Sequence, residues 1–298
     1  MKVVTTLKYC KLTILWILFL LFGLDLYSQN IPIDVYLIGG QSNATGQGYI
    51  ANMPTDFVAY TSVMIFHSHL LKGKDPYTWQ PLYQASETPD KFGVELSLGT
   101  RLQEQYPQKK IALIKHAYSG SNLYEDWHPG KNKRDTANFG KQFRYFVQTV
   151  EEGLAELRNQ GYSPKIRAML WQKGEGDARD IAGMENAENY GQNLNHFIKR
   201  VRQQFGARKM PFIYGYVIPV VRDRFTGREE VREGQTKVDQ GSGDKLALSN
   251  AFVIHTDDLP LRSEEPNSPY PDDQVHFNTF GILELGKRFA SKIYEVQN

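Results

Sequence analysis

Residues 33–48 read "IDVYLIGGQSNATGQG", and the reading of the whole chain starts from them. The first half is apolar nearly throughout and rich in β-branched and aromatic residues, as in a strand buried on both faces. The second half is a glycine-rich turn that carries a lone serine, Ser42. A phosphate-binding loop would need G-x-x-x-x-G-K-[ST]. Here Ala44 and Thr45 stand five places after Gly39 and Gly40, and no lysine follows. The dinucleotide fingerprint G-x-G-x-x-G breaks at Ala51. The nucleophile elbow G-x-S-x-G is missed by one residue, because Ala44 takes the place of the last glycine. The zinc motif H-E-x-x-H is absent.

Further apolar runs recur at wide spacing: "VMIFH" (63–67), "KIALIKHA" (110–117), "IRAMLWQ" (166–172), "PFIYGYVI" (211–218) and "AFVIHT" (251–256). Between them lie segments with helical spacing, at 94–106, 139–161, 187–206 and 279–296, two of them ending at Gly161 and Gly206. Region 222–249 is charged and glycine-rich and has no clear period. Stretches 128–138 and 259–274 read as surface loops. The alternation predicts a single α/β domain with a mostly parallel sheet and helices on both faces.

Residues 1–28 read apart from that domain. Lys2, Lys8 and Lys11 precede a short apolar core, Ile14–Leu24, and Ser28 is a small residue at a candidate cleavage point. This predicts a secretory signal peptide over 1–28, a mature domain over 29–298, and a secreted or periplasmic product. The run is shorter than the ~20 apolar residues of a membrane span, so no membrane association is expected after cleavage. The chain's one cysteine, Cys10, falls in the leader, so the mature part has neither disulfide nor thiolate metal site. The chain holds 35 Lys+Arg against 33 Asp+Glu, and removing the leader's lysines brings the two signs into balance. Nothing in that balance favours nucleic acid. Oligomeric state is not legible.

A serine hydroxyl becomes a nucleophile only when a base takes its proton and a third group orients the base. Of seven histidines, His276 in "DDQVHFN" has Asp273 three places before it, in a loop ahead of the last helix. Ser42 follows the first strand, and ligands of a doubly wound sheet bind beyond the carboxyl ends of the strands. "WQKGEGDA" (171–178) ends a strand at that same edge. Its Glu175 and Asp177 could be a glycosidase pair, loop anchors, or partners for substrate hydroxyls. "HSH" (67–69) offers two imidazoles but no third ligand, so no metal site is assigned. Trp127, near Tyr118 and Tyr124, is a candidate to stack on a sugar.

Taken together, "GQSNATG", "FGVELSLG", "AYSGSNLYEDW", "WQKGEGDA" and "DDQVHFN" occur in the order seen in the SGNH (GDSL-like) hydrolases. More narrowly, the chain resembles their carbohydrate acetylesterase branch, which includes sialate O-acetylesterases and some acetylxylan esterases. The resemblance implies a three-layer α/β/α sandwich with a parallel sheet of about five strands. It implies Ser42 as nucleophile, His276 as general base and acid, and Asp273 as its orienter, with no metal or cofactor. It implies an oxyanion hole from the Ser42 amide, a glycine amide (Gly93, or alternatively Gly120) and a side-chain donor. The family writes the fourth motif W-x-Q-G-E-x-D; here Lys173 replaces the glutamine, leaving Lys173 or Gln172 as that donor. Nor is there the wider superfamily's G-x-N-D, since Gly176 stands where its asparagine would be. Gln41, Asn43, Glu175 and Trp127 are the expected substrate contacts. The expected substrate is an O-acetylated carbohydrate, of sialic acid or xylan type. An esterase of other short acyl esters and a non-catalytic carbohydrate-binding protein are the alternatives.

Overall fold

The computed structural model describes residues 30–72 and 74–298. The signal peptide expected over 1–28 and Cys10 lie outside the described residues. Among those described, no helix is long and apolar enough to cross a membrane.

The opening run forms β1, Ile31–Gly40. Its alternation explains why it is apolar throughout. Val35 and Leu37 face one helical layer, while Tyr36 and Ile38 face the other, so both pleat faces are dry. β1 pairs in parallel with β6 (Ile111–Lys115) on one side and β7 (Tyr162–Gln172) on the other. β3 (Met64–His67) extends the sheet beyond β6, and β8 (Phe212–Gly215) and β9 (Ala251–Ile254) extend it beyond β7, all in parallel. The two-residue β4, Gln80–Pro81, closes the β3 edge antiparallel, a place where a proline costs no ladder bond. The sheet therefore has seven strands in the order β4-β3-β6-β1-β7-β8-β9, against the five or so expected. A small ribbon pairs β2 (Gly48–Tyr49) with β5 (Lys91–Phe92).

Helices cover both faces, as the alternation predicts. Short α1 (Ser42–Thr45) follows β1, and α2 (Glu95–Gln105) packs with the C-terminal α8 (Thr279–Gln297) on one face. On the other face lie α3 (Lys141–Asn159), α6 (Tyr190–Gln204) and α7 (Arg228–Val238). The last of these gives a helix to the segment whose period was unreadable. Short α4 (Glu175–Ala178) and α5 (Met184–Glu188) sit at the sheet's carboxyl edge, after β7. In α3, Phe143, Phe146, Val147, Val150, Leu154 and Leu157 are buried, a stripe three or four residues apart that faces the sheet. The chain leaves β1 toward β3 and leaves β7 toward β8, so the strand order reverses between β1 and β7. That crevice is the topological switch point, where ligands of open α/β sheets bind.

Candidate active site

Two loops meet in that crevice: one after β1, one after β7. β1 ends at Gly40, whose φ of +139° disfavours any side chain. A Cβ there would lie 2.3 Å from the Gln172 carbonyl oxygen, so the chain can turn off the sheet edge only at a glycine. The turn delivers Ser42 to the floor of a cleft of about 300 Å³, shared with Gln41, Gly120, Glu175, Arg224 and His276.

His276 arrives from the other end of the chain. Its Nε2 lies 2.9 Å from Ser42 Oγ, and its Nδ1 lies 2.7 Å from Asp273 Oδ2. An ionised carboxylate only accepts, so Nδ1 carries the proton and Nε2 accepts from the Ser42 hydroxyl. Asp273 Oδ1 accepts the amides of Val275 (3.1 Å) and His276 (3.2 Å). Burial pushes this carboxyl's pKa up. The hydrogen bond and charge of His276 and the two amides outweigh that and hold it well below the usual carboxylate range.

Arg262, which the sequence reading did not single out, supports the same carboxylate. Its Nη1 donates to Asp273 Oδ2 at 3.3 Å and its other arm bonds Gln47 Oε1. The guanidinium lies 5.6 Å and 4.9 Å from the ring centroids of Tyr49 and Tyr270. Gln47 Nε2 in turn reaches the Ser42 carbonyl at 3.4 Å. No spacing in the proline-rich 259–274 segment marks Arg262, because its links to the nucleophile side, Gln47 and Tyr49, come from the far end of the chain.

The remaining expected site residues divide. Gln41 and Glu175 line the cleft. Burial pushes the Glu175 carboxyl up, and its Oε2 has no hydrogen-bond partner among the described residues. Asn43 does not line the cleft: it donates to Val275 O and Glu175 Oε1, both at 3.1 Å, and accepts the Phe277 amide at 3.0 Å. It ties the two catalytic-end loops together instead of meeting a substrate. Trp127 is fully buried, edge-on to Trp171 at 4.8 Å, with Nε1 bonded to Ser121 Oγ. It is a core residue and cannot stack on a sugar. In "HSH", His67 is buried against Tyr83 and His69 bonds Tyr77.

Three oxyanion candidates are also corrected. The Gly93 amide is spent on Glu95 Oε1 at 2.9 Å, and a Cβ there would strike Glu95 and Lys115. Gly93 is a packing glycine. Lys173 is fully buried, and its ammonium is used up by Ser121 O (2.5 Å), Gln41 Oε1 (3.1 Å) and Asp177 Oδ2 (3.2 Å). Gln172 Nε2 turns away to the Tyr216 carbonyl. The alternative glycine, Gly120, lines the cleft with φ +71°. The amides of Gly120 and Ser42 have no hydrogen-bond partner among the described residues.

Asp177 is a loop anchor. It accepts the Leu123 and Tyr124 amides at 2.7 and 3.3 Å as well as Lys173, and burial pushes its carboxyl up against the pull of that lysine. A second buried pair mirrors it. Lys115 Nζ contacts Glu95 Oε2 at 2.5 Å, Ala85 O and Thr45 O. Two buried ammonium groups thus hold loop 41–45 from either side.

Comparison with known proteins fits this geometry. The family model described as carbohydrate esterase, sialic acid-specific acetylesterase matches residues 32–295. The chain belongs to this family. A probable carbohydrate esterase of Arabidopsis thaliana is 23% identical over 289 residues, 89% of this chain and 92% of the relative. An Arabidopsis thaliana crystal structure overlays with a TM-score of 0.66 at 21% identity, covering 89% of this chain and 98% of that one. A carbohydrate acetylesterase from Xanthomonas citri gives 0.54 at 19% identity, over 86% and 54% of the two chains. The esterase is a carboxylic ester hydrolase on the SGNH-type α/β/α fold.

Proposed function

We propose that this esterase is exported and removes acetyl groups from O-acetylated carbohydrates through an acyl-enzyme. The observation that carries the reading is the unbroken series Ser42 Oγ, His276, Asp273, whose first two members line the cleft. Ser42 Oγ attacks the ester carbonyl as its proton passes to His276 Nε2. Asp273 holds the ring in that tautomer and faces the imidazolium that forms. The amides of Ser42 and Gly120 receive the oxyanion. His276 then gives its proton to the departing sugar oxygen. A water repeats the cycle on the acyl-serine and releases acetate. Export rests on the basic–apolar–small pattern of residues 1–28.

An acidic sugar, of sialic acid type, fits the cleft better than neutral xylan. Arg179 and Arg224 both line it, and neither takes part in an ion pair among the described residues. Arg179 Nε is buried without a partner there. The Asp180 amide bonds the Arg224 carbonyl at 3.1 Å, which joins the two loops. A guanidinium pair left without counter-charge suits a substrate carboxylate. Glu175, a carboxyl lining the same cleft, is pushed by burial toward its neutral form.

Two assays test the reading. Wild type hydrolyses p-nitrophenyl acetate and Ser42→Ala does not; equal background rates in both would end the serine-esterase reading. Acetate release is faster from O-acetylated sialic acid than from acetylated xylan, and Arg179→Gln or Arg224→Gln narrows the gap. Equal rates on both substrates in wild type would overturn the acidic-sugar assignment.

A further inference from the structure

Two basic segments, far apart in the chain and outside the catalytic cleft, come together on one side of the molecule. Residues 131–134 lie in the loop between β6 and α3, and residues 199–209 span the end of α6 and the turn into β8; neither contains an Asp or Glu. Arg200 joins them, donating from Nε to Gly130 O at 3.2 Å and from Nη2 to Pro129 O at 3.1 Å, while His196 Nε2 donates to Gly130 O at 3.0 Å. Between them lies a groove of about 590 Å³ lined by Lys131, His196, Lys199, Arg200, Arg202 and Arg208, with no carboxylate in its wall. None of the six forms an ion pair among the described residues. Arg202 is buried, yet it donates only to the carbonyls of Met210 (3.0 Å) and Asn250 (2.7 Å), and its Nη1 has no partner among the described residues. Burial pushes this guanidinium down to about 10, with no carboxylate pulling it back. Asp135, whose charge reaches Arg200, is bonded to the Lys131 amide and the Asn138 side chain. The end of α6 favours a cation, but its dipole supplies only about half a negative charge against the lysines and arginines of the groove. A cleft lined by one sign of charge concentrates counter-ions.

The wall also narrows the ligand. No Trp, Tyr or Phe lines it, as a single-stranded nucleic acid would need for base stacking. No aliphatic residue lines it either, as insertion into a lipid surface would need. A chain of sugars with repeated carboxylates needs only the cations. Resting on the acidic-sugar reading above, we propose that this groove is a second carbohydrate site, which binds an acidic polysaccharide. It shares no residue with the catalytic cleft. α6 begins at the catalytic edge, where Tyr190 Oη bonds the Lys173 carbonyl at 2.6 Å, and the groove occupies its later turns. A monomer fills one site at a time, whereas a polymer engages both and gains apparent affinity without any new contact.

Lys131, Lys199 and Arg208 are exposed, so the triple variant Lys131→Gln, Lys199→Gln, Arg208→Gln should keep the fold and its melting temperature. With Ser42 intact, its kcat/KM on p-nitrophenyl acetate should match wild type. In a Ser42→Ala background, calorimetric titration with unacetylated polysialic acid should show binding about tenfold weaker in the triple variant, three surface pairs at a few-fold each, and less sensitive to salt. Free sialic acid, held in the catalytic cleft, should bind parent and variant alike. Polymer affinity within about twofold of the parent, no more than one surface pair contributes, would overturn the inference. So would an equal loss for monomer and polymer, or tighter binding of single-stranded DNA or phosphatidylglycerol vesicles than of polysialic acid at the same salt. If polymer binding falls in the variant while acetate release does not favour O-acetylated sialic acid over acetylated xylan, the groove stands and the acidic-sugar reading of the catalytic cleft falls.

Discussion

Ser42 and His276 are 234 positions apart in the chain, and the contact between their side chains depends on neighbours that never touch a substrate. Asn43 is one. Its amide spans Val275 O and the Phe277 amide, clamping the His276 loop onto the nucleophile loop. Asn43→Ala leaves both buried backbone groups unpaired, at about 1–3 kcal/mol each. Denaturant melts should show that loss, and steady-state kinetics a fall in kcat of about 10²-fold with a smaller change in KM, because a catalytic pair displaced by about an ångström loses roughly that much. Trp127 makes the opposite case. Its removal to alanine should cost about 3–5 kcal/mol in stability without changing the preference between acetylated sugars, measured as a kcat/KM ratio. Sequence could find Ser42, Asp273 and His276, because hydroxyl, imidazole and carboxylate are rare in that relation. It misplaced Trp127, Asn43 and Gly93, because burial and amide partners leave no trace in residue type.

The elements were read from their apolar period, and the limits of that reading have the same source. β1, β6 and the second half of β7 are buried on both faces, so each shows as an apolar run. β4 is two residues long and α4 four, too short for any period to register. α7 is illegible because it buries only Val231, Gly234, Gln235 and Val238, and only the two valines, seven residues apart, are apolar. At this scale the two buried lysines matter most. Lys115, at the end of β6, ties α2 through Glu95 to the α1 turn through Thr45 O. Lys115→Met strands the Glu95 carboxylate in the core and should cost about 3–5 kcal/mol by denaturant titration. Adding Glu95→Gln should recover part of the loss. A single variant as stable as wild type would show that this pair does not hold the loop.

Over the whole molecule, acid should unfold the esterase before it disables the triad's carboxylate. Burial pushes the His116 imidazole down to about 3, where Ser68 and Gln142 bond its neutral form. The unfolded chain binds that proton near pH 6.5, so below this pH the unfolded state holds more protons and stability falls as pH drops toward 3. Between pH 6.5 and 5 the loss is about 2 kcal/mol from His116, visible as a lower urea midpoint, and His116→Asn should flatten the dependence. Asp273 behaves differently. Its carboxyl lies below the unfolded value, so its contribution stands above about pH 4 and goes only in stronger acid. By itself, the sequence determined the layered α/β class, the strands and helices with strong periods, and the three side chains of the nucleophilic series, since period and chemical type are local properties of a chain. Only the tertiary structure decided which groups share the cleft, that Lys173 is spent on Gln41, and that Arg179 and Arg224 both line the cleft with no ion pair among the described residues. Those facts depend on distances between loops far apart in the chain, and they are set by how the strands line up across the sheet.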